Sequence, residues 1–197
     1  MVSIIIPTTG QRPEWLKEAV ASAEKQTYKD IEIIVKSSPA CVSKNINDGI
    51  REAKGEFIKL CADDDLLLPR SVEFLVNGIK GYDFVCGNAQ EFGDRTGVYK
   101  SKPASLESLL AHNTLHGGTM LYRKDILLEV GGFDEDLICA EEYDLHLALL
   151  QKGYKLGYVD EIVFFSRAHG GQKSNGGLNQ FMRMVQIEEI KARYESG

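Results

Sequence analysis

The sequence predicts an α/β protein built on a central, mostly parallel β-sheet. Short β-branched runs alternate with segments of helical spacing along the whole chain, which is the order of a sheet with crossover helices. The first run, VSIIIP at residues 2–7, is apolar almost throughout, as in a strand buried on both faces. With 197 residues and no internal repeat or linker, the chain is expected to form one domain.

The first half of the chain alternates between strands and helices. The predicted elements are strand 2–7, helix 13–26, strand 31–35, helix 42–55 and strand 56–62. Pro13 suits the first turn of its helix, Ser43 is a candidate N-cap, and Gly55 is a candidate helix end. Because parallel strands place their carboxyl ends at one edge of a sheet, a ligand site is expected beyond the ends of these strands.

The second half continues the pattern. The predicted elements are helix 69–80, strand 82–92, a strand and a short helix within 117–133, helix 140–153, one or two strands within 154–167, and helix 178–195. Gly131 and Gly132 are expected to end one helix, and Gly153 another. Residues 168–177 hold four glycines and are expected to form a mobile loop.

Composition argues against several classes of protein. A net charge of -6 gives no basic field for nucleic acid, which is therefore not an expected partner. The four scattered cysteines contain no CxxC pair and are expected to be buried thiols in a reducing compartment. No apolar run approaches the roughly 20 residues of a transmembrane segment, and no secretory leader is expected. We expect a cytoplasmic protein, either free or peripheral at the membrane.

Three adjacent aspartates, Asp63, Asp64 and Asp65, follow the third predicted strand. Like charges this close repel strongly in a partly dehydrated cleft unless a cation neutralises them. Carboxylate oxygens favour a hard divalent ion, Mg²⁺ or Mn²⁺, which shares its remaining positions with water and a diphosphate. The alternative is a solvated turn whose carboxylates cap the helix beginning near Pro69.

A second acidic group, Glu141, Glu142 and Asp144, opens the helix predicted at 140–153. One interpretation is structural, because the dipole of a helix favours carboxylates in its first turn. The other is functional, a carboxylate poised to remove a proton from an acceptor hydroxyl. The residues alone leave both interpretations open.

Arg167, His169 and Lys173 surround the glycine-rich loop. They offer cationic donors and a metal ligand on a segment that can close over a diphosphate and reopen to release product. The alternative is an exposed polar loop whose charges have no function.

Four segments in order carry a resemblance to a known family. They are PTTGQRPEWLKEAVASAEKQTYKDIEIIV, KNINDGIREAKGEFIKLCADDDLLLP, GGTMLYRKDILLEVGGFDEDLICAEEYDLHLALLQKGYKLGYV and SRAHGGQKS. Together they resemble the family 2 glycosyltransferases with a GT-A fold, over nearly the whole chain. The resemblance implies a single domain, 1–197, with a nucleotide-sugar and metal-binding half at 1–100, an acceptor and catalytic half with a lid at 101–177, and a C-terminal helix at 178–197.

The resemblance implies an inverting transfer of a sugar from a nucleoside-diphosphate sugar to a hydroxyl acceptor, either a saccharide or a glycolipid. Glu142 would be the catalytic base, with Glu141 and Asp144 as its neighbours. The cofactor would be Mn²⁺ or Mg²⁺, and its implied ligands are Asp64, Asp65 and His169. The implied nucleotide-sugar contacts are Pro7, Thr8, Thr9, Arg12, Ser37, Asn45, Asp63, Asp64 and Arg167.

The sequence departs from the family pattern in two places. The acidic pair that usually ends the second strand and holds uracil is replaced by Lys36, Ser37 and Ser38, so either the base differs or uracil is held through other hydrogen bonds. Ala62 stands at the first position of the acidic run, and Glu142 stands where the family usually has aspartate. A displacement of about 1 Å is enough to cost substantial rate.

Two other functions remain open at this point. A nucleotidyltransferase would carry a glycine-rich, basic phosphate loop after its first strand, and PTTGQRP is a poor version of one. In a non-catalytic nucleotide-sugar-binding module, clustered carboxylates in a cleft would be costly and would serve no function, which counts against this alternative. A Rossmann dehydrogenase is excluded because no GxGxxG follows the first strand. The last helix is expected either to pack on the core or to form a homodimer, and fusion to further domains stays open.

Overall fold

The computed structural model describes residues 1–38, 41–172 and 177–195. Its strands are β1 Val2–Thr8, β2 Ile31–Ser37, β3 Phe57–Leu60, β4 Phe84–Gly93, β5 Gly97–Tyr99, β6 Leu121–Arg123 and β7 Leu156–Ala168. Its helices are α1 Pro13–Glu24, α2 Val42–Glu52, α3 Ser71–Gly78, α4 Leu106–Ala111, α5 Lys124–Glu129, α6 Glu141–Gln151 and α7 Gly177–Glu195, with a 3₁₀ turn at Gly117–Thr119. Every predicted element is present. The sequence did not reveal β5, α4 or the 3₁₀ turn, because they are too short to show a periodic pattern.

The strands form a mixed sheet in the order β2-β1-β3-β6-β4-β5, with β7 paired to β4. The pairs β1–β2, β1–β3 and β4–β7 are parallel, whereas β6 is antiparallel to both β3 and β4, and β5 is antiparallel to β4. The α/β class is confirmed, and five of these seven strands run in one direction. Half of the strand pairs are nevertheless antiparallel, because β6 enters the sheet after α4 and the 3₁₀ turn and not through a βαβ crossover.

Strand β1 is buried on both faces, as its sequence predicts. Ile5 packs in one apolar cluster with α2, while Ile4 and Ile6 pack in a second cluster with α1 and α3. Each fully buried isoleucine contributes about 1.5–3 kcal/mol. Helix α2 approaches closely because Gly49 lies directly against Ile5, where a Cβ would overlap the Ile5 side chain. The sheet is therefore held between two helical layers, and its edge at the carboxyl end of β1 has a fixed position.

Two predicted helix boundaries are wrong. Helix α2 ends at Glu52, and Gly55 instead passes so close to Ser3 of β1 that a side chain would collide with the backbone there. Ser43 lies inside α2 with a buried hydroxyl, and Cys41 is the N-cap residue. Local composition could not distinguish a residue needed for packing from one needed for helix termination.

The C-terminal helix α7 packs on the core. Ile190 is fully buried, and Gln186 Oε1 accepts hydrogen bonds from the backbone N–H groups of Ile138 and Cys139. The predicted burial of the cysteines holds for Cys61 and Cys86 but not for Cys41, which is exposed, or for Cys139, which is only half-buried. In the part of the chain that the structure describes, no helix combines the length and apolar character needed to cross a bilayer.

Candidate active site

The carboxyl ends of β1 and β3 open into a cleft of about 700 Å³. Because β1, β2 and β3 are parallel, their last residues meet at this edge of the sheet. The predicted site residues that line the cleft are Pro7, Thr8, Thr9, Arg12, Asp63, Asp64, Asp65, Glu141 and Glu142. The fold thus brings both acidic groups to one cleft, although three strands separate them in sequence.

Asp63 is the most enclosed of the three aspartates, with 6% of its surface exposed. Its Oδ2 accepts a hydrogen bond from Thr8 Oγ1, and its Oδ1 accepts one from Arg12 Nη1 at 3.0 Å. Thr8 is the last residue of β1, so these bonds tie the end of β1 to the acidic triplet.

Asp64 shares the Arg12 guanidinium with Asp63. Its Oδ2 accepts a hydrogen bond from Arg12 Nη1 at 2.5 Å and lies 3.1 Å from Nε2 of His169. The indole of Trp15 supports both partners, with its centre 4.7 Å from the His169 ring and 5.8 Å from the Arg12 guanidinium. His169 therefore lies directly beside the acidic triplet, and its role as a metal ligand stays a prediction.

Asp65 connects the acidic triplet to the end of β7. Its Oδ1 accepts a hydrogen bond from the Arg167 backbone N–H at 2.7 Å, and next to it Leu66 and Phe165 exchange two backbone hydrogen bonds. Burial raises the pKa of Asp65 well above its usual range, and the charge of Asp64 raises it further. Asp65 therefore ties the acidic triplet to the end of β7.

The donors at this edge fit a cation whose coordination is completed by a substrate. Asp64 and His169 lie side by side, but among the residues that the structure describes no three His, Cys, Asp or Glu side chains converge on one point. Mg²⁺ in nucleotide sites commonly takes one or two carboxylates and fills its other positions with water and phosphate oxygens. A complete protein cage is therefore not required, and the residues present fit such an ion.

The first turn of α6 directs two carboxylates toward the cleft. The helix dipole favours both, because both lie in the first turn of α6. Glu141 is 9% exposed, whereas Glu142 is exposed and lies against Gly117, where a Cβ would overlap its carboxylate. Glu142 is thus the carboxylate of this pair that an acceptor hydroxyl can reach.

Asp144 does not line the cleft. Its Oδ1 accepts hydrogen bonds from Arg193 at 3.1 Å and from the Tyr194 hydroxyl at 3.2 Å, both on α7. Burial raises the pKa of Asp144, and these two partners lower it. Residues two positions apart in a helix are separated by about 200° around its axis. Asp144 therefore cannot lie on the same face of α6 as Glu142. The two-position spacing of Glu142 and Asp144 can be read from the sequence, and in a helix it places them on different faces.

Ser37 and Asn45 lie beside the cleft and do not line it. The side-chain amide of Asn45 donates hydrogen bonds to the carbonyl oxygens of Thr8 and Ser38, both at 3.2 Å, and accepts one from the Ser38 hydroxyl at 2.7 Å. Ser37 is the neighbour of Thr8 in the β1–β2 register. Asn45 therefore fixes the two strand ends that border the cleft.

Arg167 faces α1 more than the cleft. Its Nε donates to the carbonyl oxygen of Asp64 at 2.9 Å, its Nη2 pairs with Glu18, and its guanidinium lies 4.9 Å from the centre of the Trp15 ring. Lys173 and much of the predicted mobile loop at 168–177 lie outside the described residues. The structure thus brings His169 to the acidic triplet and uses Arg167 to hold the end of β7 in place.

Sequence reasoning missed a polar set on the far side of the cleft. Its members are Glu91, Arg95, Tyr99, Asn113, His146 and Arg183. His146 is fully buried, its Nε2 lies 2.8 Å from the Tyr122 hydroxyl, and burial lowers its pKa to about 3. His146 follows Glu142 by four residues, so helical spacing could have placed it on the cleft face. The other members come from β4, β5, α7 and two loops, and carry no such signal.

Solved structures with similar folds include two in complex with nucleotide sugars. Residues 1–349 of TarS from S. aureus, in complex with UDP-GlcNAc, superpose with a TM-score of 0.73 at 18% identity, covering 98% of this chain and 71% of that one. The mannosyltransferase PcManGT from Pyrobaculum calidifontis, in complex with GDP-Man and Mn²⁺, gives a TM-score of 0.71 at 16% identity, covering 98% and 64%. These similarities confirm the GT-A fold.

Sequence comparison identifies the family. The model of Glycosyl transferase family 2 matches residues 42–135. An uncharacterized glycosyltransferase of Rickettsia typhi is 31% identical, over 98% of this chain and 70% of its own length, and one of Rickettsia prowazekii is 29% identical, over 91% and 68%. Of three longer Rickettsia relatives the chain spans 31%, 35% and 35%. The chain belongs to glycosyltransferase family 2 and is a glycosyltransferase.

Proposed function

We propose that this glycosyltransferase moves a sugar from a nucleoside-diphosphate sugar to a hydroxyl acceptor, with inversion and with the help of a divalent cation. The observation that carries this proposal is the single cleft lined by the acidic triplet on one wall and by Glu142 on the other. One wall offers groups for a diphosphate and its cation, and the other offers a base for the attacking hydroxyl. Family membership favours this reaction over the nucleotidyl transfer and the non-catalytic binding considered from the sequence.

The nucleotide is proposed to lie against the end of β1. Pro7, Thr8 and Thr9 line the cleft there, and Asp63, which accepts a hydrogen bond from Thr8, is proposed to lie nearest the ribose. Asn45 acts indirectly, because it holds the strand ends that form this wall. The fold neighbours are in complex with UDP-GlcNAc and with GDP-Man, so neither a uracil nor a guanine base is favoured on that ground.

The residues at the end of β2 that replace the acidic pair usual in the family affect which nucleobase can be bound. Lys36 is committed to an ion pair with Glu52 at 2.7 Å, and Ser38 is committed to Asn45. Ser37 is exposed at the end of β2 and is the candidate of this group for a hydrogen bond to the base. A hydroxyl can both donate and accept, so it does not demand uracil in the way that a carboxylate does.

The diphosphate is proposed to lie over Asp64 and His169, with Asp65 behind them. A divalent cation bound there, Mn²⁺ or Mg²⁺, would supply Lewis-acid stabilisation of the departing diphosphate. Arg12 adds a guanidinium at the same carboxylates and can bind a phosphate through two parallel hydrogen bonds. His169, supported on Trp15, lies beside Asp64 at this wall and is not itself part of the cleft lining.

Glu142 is proposed as the general base. Its carboxylate accepts the proton of the acceptor hydroxyl while that oxygen attacks the anomeric carbon, and one displacement inverts the configuration there. Glu141 is more enclosed than Glu142 and is proposed as its neighbour in the first turn of α6. The acceptor is proposed to be a saccharide or a glycolipid, entering beside the polar set of the far wall. A homodimer, fusion to further domains and a peripheral membrane location stay proposals of the same kind.

The proposal is tested by thermal unfolding with UDP, GDP, UDP-GlcNAc and GDP-mannose, each with Mn²⁺ and with EDTA. We expect at least one nucleotide to raise the Tm in Mn²⁺ and much less in EDTA. Asp64→Asn should lose this Mn²⁺-dependent increase, whereas Asp136→Asn, an exposed carboxylate away from the cleft, should keep it. An increase that is equal in EDTA, or that survives in Asp64→Asn, would contradict the cation site.

A further inference from the structure

The 3₁₀ turn at Gly117–Thr119 passes between two groups that leave no room for a side chain. A Cβ on Gly117 would overlap the Glu142 carboxylate, and a Cβ on Gly118 would overlap the Phe164 ring. The turn itself is closed by backbone hydrogen bonds, from Thr119 N to the His116 carbonyl at 2.9 Å and from Met120 N to the Gly117 carbonyl. Its position therefore sets the surface on which the Glu142 carboxylate rests.

Lys59 reaches this turn from inside the protein. It lies in the middle of β3, and its side chain is fully buried. Its Nζ donates hydrogen bonds to the carbonyl oxygen of Leu60 at 2.9 Å and to that of Gly118, and it lies 5.0 Å from the centre of the Phe164 ring. One ammonium thus joins β3, which leads into the acidic triplet, to the turn that supports Glu142.

Packing alone does not explain a lysine at this position. Taking an ammonium out of water is costly, and burial lowers the pKa of Lys59 to about 8. Methionine would fill nearly the same volume without that cost. The hydrogen bond to Gly118 is what methionine could not provide.

We propose that Lys59 is a positioning residue that holds the Gly117–Thr119 turn against β3 and thereby places the Glu142 carboxylate in the cleft. This inference rests on the proposed role of Glu142 as the base. Lys59 contacts no reacting atom, so its effect passes entirely through the turn. A clamp of this kind fixes the distance between the cation side of the cleft and the base side.

Backbone hydrogen exchange tests the clamp without any substrate. In Lys59→Met, the amides of residues 115–123 should exchange about tenfold faster or more, because the turn loses its tie to β3. Lys59→Gln should keep most of the protection, since its amide can still donate to the Gly118 carbonyl. Lys80→Met removes an exposed lysine and should exchange like the unmodified protein. Unchanged exchange of this segment in Lys59→Met would overturn the proposal.

Turnover separates positioning from general stabilisation. With UDP-GlcNAc and GDP-mannose as donors in Mn²⁺, Lys59→Met should lower the kcat of donor hydrolysis about tenfold to a hundredfold, because the base is displaced, while the donor KM changes less than twofold. Lys59→Gln should recover most of kcat. A Lys59→Met protein whose kcat is unchanged, or whose KM rises as much as its kcat falls, would contradict the role. Should Lys59→Met fail to fold, Lys59→Gln decides. Protection and kcat that both match the unmodified protein, or that both fall, support the clamp. A change in only one of the two overturns it.

Glu142→Gln distinguishes failure of this inference from failure of the proposed function. If Glu142→Gln keeps full turnover, the base assignment fails, and hydrogen exchange still decides whether Lys59 clamps the turn. If Glu142→Gln is inactive while Lys59→Met keeps both turnover and protection, the base assignment stands and the clamp is wrong.

Discussion

The carboxylates on the two walls of the cleft differ in their exposure and in their contacts. On the wall formed by β1 and β3, Asp63 and Asp64 are enclosed and share Arg12, and His169 adds a further contact to Asp64. On the wall formed by α6, Glu142 is exposed and rests on a glycine. The first arrangement fixes charges in place for a bound ligand, and the second leaves a carboxylate accessible to an incoming hydroxyl. The difference indicates which wall binds and which wall accepts the proton.

The largest expected effect comes from removing the base. Glu142→Gln should keep the Mn²⁺-dependent Tm increase with its donor and lower turnover by about 10²–10⁴, the usual contribution of a general base. Thermal unfolding and donor turnover measured on the same preparation check both halves. Full turnover by this variant would refute the division between the two walls.

Lys59 lies between the walls, and its titration should appear in the stability of the protein. Its pKa is about 8 in the fold against 10.5 for an ordinary lysine. Between these values the unfolded chain binds more protons, so the contribution of Lys59 to stability rises with pH, by about 3 kcal/mol over the window. Urea unfolding at pH 7.5 and pH 10.5 should show this rise in the unmodified protein relative to Lys59→Met. Parallel pH profiles for the two proteins would contradict a buried, charged Lys59.

Displacing the Glu142 carboxylate without replacing the residue sharpens the comparison between the two walls. Gly117→Ala puts a methyl group where the Glu142 carboxylate lies and should lower kcat by about tenfold to a hundredfold with little change in donor binding. Gly170→Ala is the matched control, because among the described residues no atom other than those of its chain neighbours lies within 4 Å of the position that its new methyl group would take. Steady-state kinetics of both variants test this, and equal rates for the two would count against the placement of Glu142.

Arg12 tests the enclosed wall. Arg12→Ala leaves Asp63 and Asp64 to repel each other, so the protein should lose about 2 kcal/mol, or about 4–8 °C in Tm, in EDTA. Adding Mn²⁺ with UDP or GDP should recover part of this loss, since a cation can replace the guanidinium charge. Lys17→Ala, which breaks an exposed pair with Glu14 on the same helix, should change the Tm by much less. A Tm decrease in Arg12→Ala that is equal with and without Mn²⁺ would show that Arg12 does not act at the cation site.

The smallest effect is expected for the acidic residue that faces away from the cleft. Asp144→Asn should weaken the docking of α7 by about 1 kcal/mol, because Arg193 and Tyr194 lose a charged acceptor. Turnover should stay within about twofold of that of the unmodified protein. Chemical denaturation and steady-state kinetics check this prediction. A loss of turnover comparable with that of Glu142→Gln would show that Asp144 contributes to the active site.

The sequence was sufficient wherever local pattern determines structure. The alternation of strands and helices predicted the layers, and the position of Asp63–Asp65 after a buried strand placed them at the edge where the cleft opens. Both follow from short-range periodicity and from the rule that parallel strands end together.

The rest depends on contacts between residues far apart in the chain. Arg12 and His169 reach Asp64 from more than fifty residues away on either side, and no local pattern encodes those distances. The antiparallel entry of β6 was equally hidden, because direction depends on the path of the connecting chain. Lys59 was overlooked because one lysine in an apolar strand looks like an ordinary edge residue until its burial is known.

The most direct test of the cation site and its opposing base is anomalous diffraction from crystals soaked with Mn²⁺ together with UDP or GDP. We predict a manganese peak bonded to the Asp64 carboxylate and within reach of His169, bridged to the diphosphate, with Glu142 across the cleft. A bound nucleotide without manganese at Asp64, or manganese at another place, would contradict this prediction.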